Sequence, residues 1–514
     1  MADIPSSKQQ IAAHRGIITA CAMLATIMQT LDTTIANVAL PYIQGGLSTS
    51  PDQITWVLTS YIVAAAIMTA PVGWLSGHFG QRNFFIISLV GFTTASMLCG
   101  IAESLPQMVI FRLLQGIFGA ALVPLSQAIM LDLYPAEERG WAMAIWGMGI
   151  MVGPILGPTL GGYLTDAYNW RWVFYINVPL GLLAAAGLAV FLKDPGQRAK
   201  SNFDWAGFSY LSLGLASLQL MLDRGELKDW FGSTEIIVEL VLACLGFYLF
   251  AVHMLLAPDP FIKPRMFRDR NFAAGVLLMF VVGAVLLASM ALLPPYLQNL
   301  ANYPVSTAGL VMAPRGIGTM VAMLLAGRLT NLIDARLMML AGIFILADSM
   351  LRMAGWTPDV STSSMITTSL IQGFGFGLIF TPLSVIAFAT LPIEFRVDGT
   401  AFFSLVRNIG SAIGISVTSF LLTQNTQIVH SQLAESVTPF NRVLQTDAAY
   451  LLWNTTLPTG IAALNTEVTR QASIVAYSDD FKFLFYLTLL TAVLVLFMRP
   501  NAASNGAGHA APVH

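Results

Sequence analysis

Charge is what this sequence has least of. Only 10% of its 514 residues are Asp, Glu, Lys or Arg, while 56% are hydrophobic; an ordinary soluble protein carries about 25% charged residues. No water-soluble fold could hide that much apolar surface. The 25 basic and 27 acidic side chains leave a net charge of −2, so no basic surplus exists to neutralise a nucleic-acid backbone. Cysteine is scarce too. Cys21, Cys99 and Cys244 each fall in an apolar stretch, and none stands at metal-ligand or CxxC spacing, so disulfides, metals and cofactors are not expected. The chain has no GxxxxGK[ST] phosphate loop and no HExxH pattern, which removes the nucleotidase and zinc-hydrolase readings.

Long apolar runs are what the sequence has instead. A helix needs about 20 apolar residues to cross a bilayer core. Candidate spans lie near 17–40, 54–76, 84–102, 106–131, 140–165, 172–192, 205–222, 234–256, 271–297, 307–327, 336–356, 362–391, 398–424 and 481–498. The expectation is an all-α integral membrane protein with fourteen transmembrane helices. The first run contains Asp32 and is followed by many more, so it reads as a span and not as a cleaved signal peptide. Trp56 and Trp74 sit at the two ends of the second span, as interfacial aromatics do, and at 1.5 Å per residue lie roughly 27 Å apart, which matches a bilayer core. Positive charge is retained on the cytoplasmic side. With both termini inside, fifteen Lys and Arg lie on inner loops and tails, six lie outside, and Arg112, Arg315, Arg352 and Arg407 fall within spans.

The chain also repeats itself. LLQGIFGAALVPLS at 113–126 returns as LIQGFGFGLIFTPLS at 370–384, an offset of 257 residues from Gln115 to Gln372, and GWLSGHFGQR from Gly73 has a weaker partner in GRLTNLIDAR from Gly327. Duplication of a six-helix unit leaves room for two extra helices. The expected organisation is an N-terminal bundle over 1–192, a linker with two spans over 193–270, and a C-terminal bundle over 271–514 with a long outer loop at 425–479. Parallel repeats of this kind suit a rocking transporter with substrate bound between the halves.

Several motifs stand in order: LDTTIANVALP at 31–41, GWLSGHFGQR at 73–82, FRLLQGIFGAA at 111–121, GIMVGPILGPTLGG at 149–162 and WRWVFYINVP at 170–179. Together they resemble the major facilitator superfamily, and within it the fourteen-span drug:proton antiporters of the EmrB type. The resemblance covers nearly the whole chain. It implies the major facilitator fold and export of hydrophobic or amphipathic drugs and toxic compounds across the inner (plasma) membrane. It also implies an antiporter motif formed by Gly149, Gly153, Pro154, Gly157, Pro158, Gly161 and Gly162, and a loop gate at Gly73, Gly80 and Arg82 with Asp334 and Arg336 in the second half. The outer loop, with HSQLAESVTPFN from His430, resembles the one in exporters whose partners are a periplasmic membrane-fusion adaptor and an outer-membrane channel; a solvated connector is the other reading. One departure concerns the loop motif, which has Gly77 and His78 where the superfamily usually has an acidic and a basic residue. A charge lock between the halves at that loop is then open to question, and Asp334 and Arg336 become its candidate carriers.

The intramembrane charges carry their own argument. An ionised carboxylate at the position of Asp32 costs about 2.5–3.5 kcal/mol on insertion scales, so Asp32 has to be neutral, paired or in contact with water. It is the candidate for taking up and releasing a coupling proton; the alternative is a packing residue tied to Thr33, Thr34 or Asn37. Arg112 keeps its charge in every state and shares a helix face with Gln115 and Gly116. Its candidate role is to change the proton affinity of a nearby carboxylate, and the alternative is a structural Arg held by backbone carbonyls. Asn37, Gln115, Arg315, Gln372, Arg407 and Asn408 are candidates for the substrate cavity, with an interhelical lock as the alternative for Arg315 and Arg407. Asp348 and Arg352, at i and i+4, form either a self-neutralising pair or a site. Asp223, Arg224 and Gly225 read as a cap and turn. The 24 Met and 31 Phe suit a broad pocket for amphipathic compounds. Transport of a dedicated metabolite or siderophore-like compound is the alternative, and a membrane-embedded sensor is disfavoured by the repeat.

Overall fold

A bilayer core offers no water to backbone N–H and C=O groups, so a chain this apolar satisfies them within each segment, as helices do. The protein, seen in a computed structural model, is described over residues 14–193, 202–258, 260–330, 332–438 and 457–499 and at 441, 446 and 453. Among the described residues all regular structure is helical. In chain order the main helices are α1 (Arg15–Leu47), α2 (Trp56–Thr69), α3 (Val72–Phe79), α4 (Gln81–Gly100), α5 (Leu105–Gly119), α6 (Leu122–Leu133), α7 (Arg139–Ala167) and α8 (Asn177–Phe191). There follow α9 (Trp205–Arg224), α10 (Thr234–Leu256), α11 (Arg270–Pro295), α12 (Val305–Leu329), α13 (Ala335–Ala354), α14 (Thr362–Ala389), α15 (Arg396–Glu435) and α16 (Pro458–Leu496).

Local chemistry sets several boundaries. The side chains of Asp204, Asp269 and Ser361 accept from the backbone N–H three residues on and so start α9, α11 and α14, as N-caps do. Among the described residues twelve helical spans are long and apolar enough to cross a membrane, or thirteen when the bent pair α2 and α3 counts as one. The remaining long helix is α16, in which Asp479, Asp480 and Lys482 stand just before the apolar stretch that ends at Leu496.

Two expectations are corrected. The second span is not straight: α2 and α3 meet at 62° around Pro71, which has no N–H to continue the first helix, so Trp56 and Trp74 do not measure a bilayer thickness. The stretch 425–479 is not one long loop. Its first part continues α15 and its last part begins α16, helices of 40 and 39 residues, each about 60 Å long at 1.5 Å per residue. That is about twice a bilayer core, so the pair forms a hairpin projecting past the bundle, joined by His430 and Asn465 at 3.0 Å. Residues 439–440, 442–445, 447–452 and 454–456 of that stretch, and both termini, lie outside the described residues.

Helix pairing repeats between the halves. α1 packs along α7 and α2 along α5, while α11 packs along α15 and α12 along α14. Helix α9 lies against α2 and α15, and Ser416 Oγ donates to the Leu222 carbonyl at 3.1 Å.

At the end of the bundle that carries α3, the halves press together. Arg396 donates to Asp132 across the interface at 2.6 Å. A Cβ on Gly73 would overlap the Asp398 carboxylate, and one on Gly140 would lie 2.7 Å from the Gly327 carbonyl oxygen. Arg328 sits over the Trp141 ring. The expected gate is corrected in part. Gly73 does face the other half, and Gly80 (φ 85°) makes the turn into α4. Arg82, however, donates to Ala189 within its own half. Asp334 and Arg336 pair with each other at 2.8 Å, and Arg336 reaches Met498 of the same half. This adjacent guanidinium holds the Asp334 carboxyl below its ordinary range. Among the described residues the ion pair that joins the halves is Asp132 with Arg396. With the native cysteines replaced, a Thr330→Cys protein should react slowly with a water-soluble maleimide, because Thr330 is buried at this seam. Adding Arg396→Ala should raise that rate several-fold, and an unchanged rate would show that the pair does not hold this end shut.

Candidate transport site

Three helices, α1, α5 and α8, meet at Asp32, which is 1% exposed. Arg112 Nη1 of α5 donates to its Oδ2 at 2.8 Å. Gln115 Nε2 and, from α8, Asn177 Nδ2 each donate to Oδ1 at 2.8 Å. Arg112 is also 1% exposed; its Nε donates to the Val57 carbonyl of α2 at 3.0 Å, its Nη1 to Gln115 Oε1 at 2.6 Å, and its guanidinium carbon stands 4.2 Å from the centre of the Tyr61 ring. Asn177 is held in turn by Ser96 at 3.0 Å. A carboxylate with three donors and a fixed cation is the arrangement in which a buried charge is tolerable. Thr33 and Thr34 do not bind Asp32: they donate to the Thr30 carbonyl, and Thr34 donates also to Gly153.

A cavity of about 640 Å³ lies between the halves beside this network. Arg112 contributes to its wall, as do Asn37, Arg407 and Asn408; apolar surface comes from Ile150, Met290 and Phe380. Asp223 and Glu226, at and just past the end of α9, stand at its solvent-exposed end. Thr59 donates to Asp223 and Thr423 to Glu226 at 3.1 Å. Arg407 donates to Asn408 Oδ1 at 3.5 Å, and no carboxylate pairs with it among the described residues. The cavity is thus apolar in its walls, with a cation inside and carboxylates at its mouth.

Other candidates lie elsewhere. Gln115 serves the Asp32 network and not the cavity. Arg315 bonds to the Leu286 carbonyl at 3.2 Å and Ser289 at 3.0 Å, beside the Phe376 ring, so it locks α12 to α11 and α14. Gln372 is buried against the sulfurs of Met350 and Met353. The reading of Asp223 as only a cap is corrected, since it lines the cavity. Asp348 and Arg352 pair at 2.7 Å with both side chains about half exposed, away from the cavity. Exposed pairs of this spacing contribute about 0.3–0.5 kcal/mol, so replacing both by Asn and Gln should leave transport within about twofold of wild type in a whole-cell accumulation assay.

The antiporter-motif residues lie on α7. Gly149, Gly153, Gly157 and Gly161 face α1: a Cβ on Gly153 would lie 2.5 Å from the Thr30 carbonyl oxygen, one on Gly157 would collide with Thr34, one on Gly149 would lie 2.5 Å from Met23, and one on Gly161 would lie 3.3 Å from the Ile35 carbonyl oxygen. Gly162 meets nothing within 4 Å. Pro154 lines the cavity, and the side chain of Pro158 lies outside the described residues.

Reasoning from sequence missed Asn177, although it stands within WRWVFYINVP. An Asn at the start of an apolar span is a polar group that needs a partner, which is the signal that could have singled it out. Nothing in the sequence pointed to Ser96 or to the Val57 carbonyl, which enter only through packing.

Paired bundles, a cavity between them closed at one end, and a buried ion pair at its wall define an integral membrane transporter. The Major Facilitator Superfamily profile matches residues 22–415, and the chain belongs to that superfamily. It is 35% identical over 495 residues to the multidrug export protein EmrB of Escherichia coli K12, covering 96% of this chain and 97% of that protein. It is 34% identical to the fatty acid resistance protein FarB of Neisseria gonorrhoeae, covering 95% and 96%. Among solved structures, the proton:xylose symporter XylE shares the fold with a TM-score of 0.58 at 15% identity, covering 92% of this chain and 96% of that one.

Proposed function

We propose that the protein is a proton-coupled antiporter exporting hydrophobic or amphipathic compounds. The observation that carries this is the Asp32–Arg112 pair, sealed from water yet forming the wall of the cavity through Arg112. One proton on Asp32 discharges the carboxylate and frees the guanidinium toward the cavity; loss of that proton restores the pair. Proton and substrate thereby compete for one arrangement of α1 and α5, which is the physical content of antiport. Export is supported by the similarity to a multidrug export protein, and an amphipathic substrate by a cavity that joins apolar walls to charged groups at two depths.

In this reading both termini are cytoplasmic, the bundles divide six plus two plus six in the inner membrane, and the cavity opens to the outside. The projecting α15–α16 hairpin serves as the dock for a periplasmic membrane-fusion adaptor leading to an outer-membrane channel. A photo-crosslinker at exposed Gln432 should capture such an adaptor in intact cells; no capture there or at neighbouring hairpin positions would remove the tripartite assembly. The test of the whole reading uses everted vesicles with permanently charged and neutral hydrophobic compounds, because weak acids and bases collapse a pH gradient unaided. Some of these compounds should dissipate the gradient in vesicles carrying the protein and not in vesicles without it. Transport that proceeds without any proton flux would overturn the proposal.

A further inference from the structure

A second carboxyl is buried in the other half. Asp480 of α16 is 0% exposed, and neither of its oxygens has a hydrogen-bond partner among the described residues. Tyr477, Asp480, Phe481 and Leu484 share one buried helix face, as the i, i+3, i+4 spacing dictates. Tyr477 stands edge-on to Tyr296 at 5.4 Å, Tyr296 is 5.8 Å from Trp356, and Trp356 is 6.4 Å from Phe481. The Tyr296 hydroxyl and the Trp356 indole N–H are also without partners. An ionised carboxylate buried with no donor to it is strongly unfavourable; the neutral acid is not.

No charged group on the neighbouring elements offers compensation. On α16 itself, Asp479 pairs with Lys482 and Glu467 with Arg470, and Tyr486 is exposed. On α13, Arg336 pairs with Asp334 and Arg352 with Asp348. On α15, Arg396 holds Asp132, Asp398 abuts Gly73, Arg407 faces the cavity, His430 meets Asn465 and Glu435 is exposed. On α11, Arg270 is exposed, and Tyr296 in the turn that follows is the remaining titratable group.

Helix packing, and not the sequence offset of the repeat, relates this carboxyl to the first half. At the 257-residue offset, Asp32, Arg112 and Gln115 become Ser289, Ser369 and Gln372. At these positions the second half has no acid in its first helix and no base in its fourth. In the first half the sixth helix, α8, packs on α1 and α4 and presents Asn177 to the site; in the second, α16 packs on α11 and α13 and carries Asp480. We propose that Asp480 is a second proton-binding carboxyl, protonated in this conformation, which gives its proton to water when the second bundle rearranges and regains one on return. The protein then moves one proton more per cycle than Asp32 alone can carry. The role in coupling rests on the antiport reading; the protonation does not.

Two measurements on the full-length protein separate those claims. In infrared difference spectra at neutral pH, wild type minus Asp480→Asn should contain a carboxylic-acid C=O band, which Asp480→Glu retains at a shifted position. Absence of that band in wild type would overturn the protonation. In proteoliposomes, the proton-to-substrate ratio from reversal potentials should fall by one in Asp480→Asn and return in Asp480→Glu. An unchanged ratio would overturn the second-proton role. If instead Asp32→Asn keeps full coupling, the antiport reading of Asp32 fails while the infrared result on Asp480 stands by itself.

Discussion

Asp32→Asn is expected to abolish pH-gradient-driven transport and to cost about 3–5 kcal/mol of stability, the usual consequence of stripping one partner from a buried ion pair. The Arg112 guanidinium would keep its charge, with only the Val57 carbonyl and Gln115 Oε1 left to it. The new amide would also set its NH2 either against Gln115 and Asn177, which already donate to Oδ1, or against Arg112, which donates to Oδ2. Adding Arg112→Gln removes the stranded cation, so the double variant should recover much of the lost thermal stability in detergent while remaining inactive in the everted-vesicle assay. This split between stability and activity separates a coupling site from a structural one. Were the single variant to retain transport with the wild-type pH profile, Asp32 would be a packing residue.

Gly153→Leu is expected to reduce transport more than tenfold, the largest effect among the glycines of α7. Its Cβ would stand 2.5 Å from the Thr30 carbonyl oxygen, and a backbone atom cannot rotate away as a side chain can. Overpacking of this kind costs about 1–3 kcal/mol, and here it would push α7 from α1, the helix that carries Asp32. Gly162→Ala is the control, because nothing lies within 4 Å of that Cβ; its transport should match wild type. Drug accumulation in whole cells, normalised to the amount of protein in the membrane, measures both. Equal losses in the two variants would mean that α7 tolerates or resists bulk without regard to the α1 contact.

Much of the site was legible because charge inside an apolar span has few permissible surroundings. Asp32 and Arg112 stood out for that reason, and the structure brings them together. Asn37, Arg407 and Asn408 line the cavity, whereas Gln115, Arg315 and Gln372 do not. Periodicity places a polar residue on a helix face but does not say which neighbour that face meets. Arg315 turns to Ser289 on α11, a contact set by helix packing between distant segments. Asp223 misled in the other direction: a helix end resembles a cap in sequence, and only the placement of α9 against α2 and α15 puts that end at the cavity mouth.

By itself the sequence determined the helical, membrane-spanning character, the internal repeat and the acid and base within the spans of the first half. The reason is that a bilayer core permits only long apolar helices and tolerates few charges within them. Tertiary structure alone decided that Asn177 completes the Asp32 network, that Asp132 and Arg396 pair across the halves at one end, that both ends of the supposed outer loop are helical, and that Asp480 is buried without a hydrogen-bond partner among the described residues. Each of these is a relation between helices far apart in the chain, and the 3.6-residue period that reveals one helix carries no information about which other helix it meets.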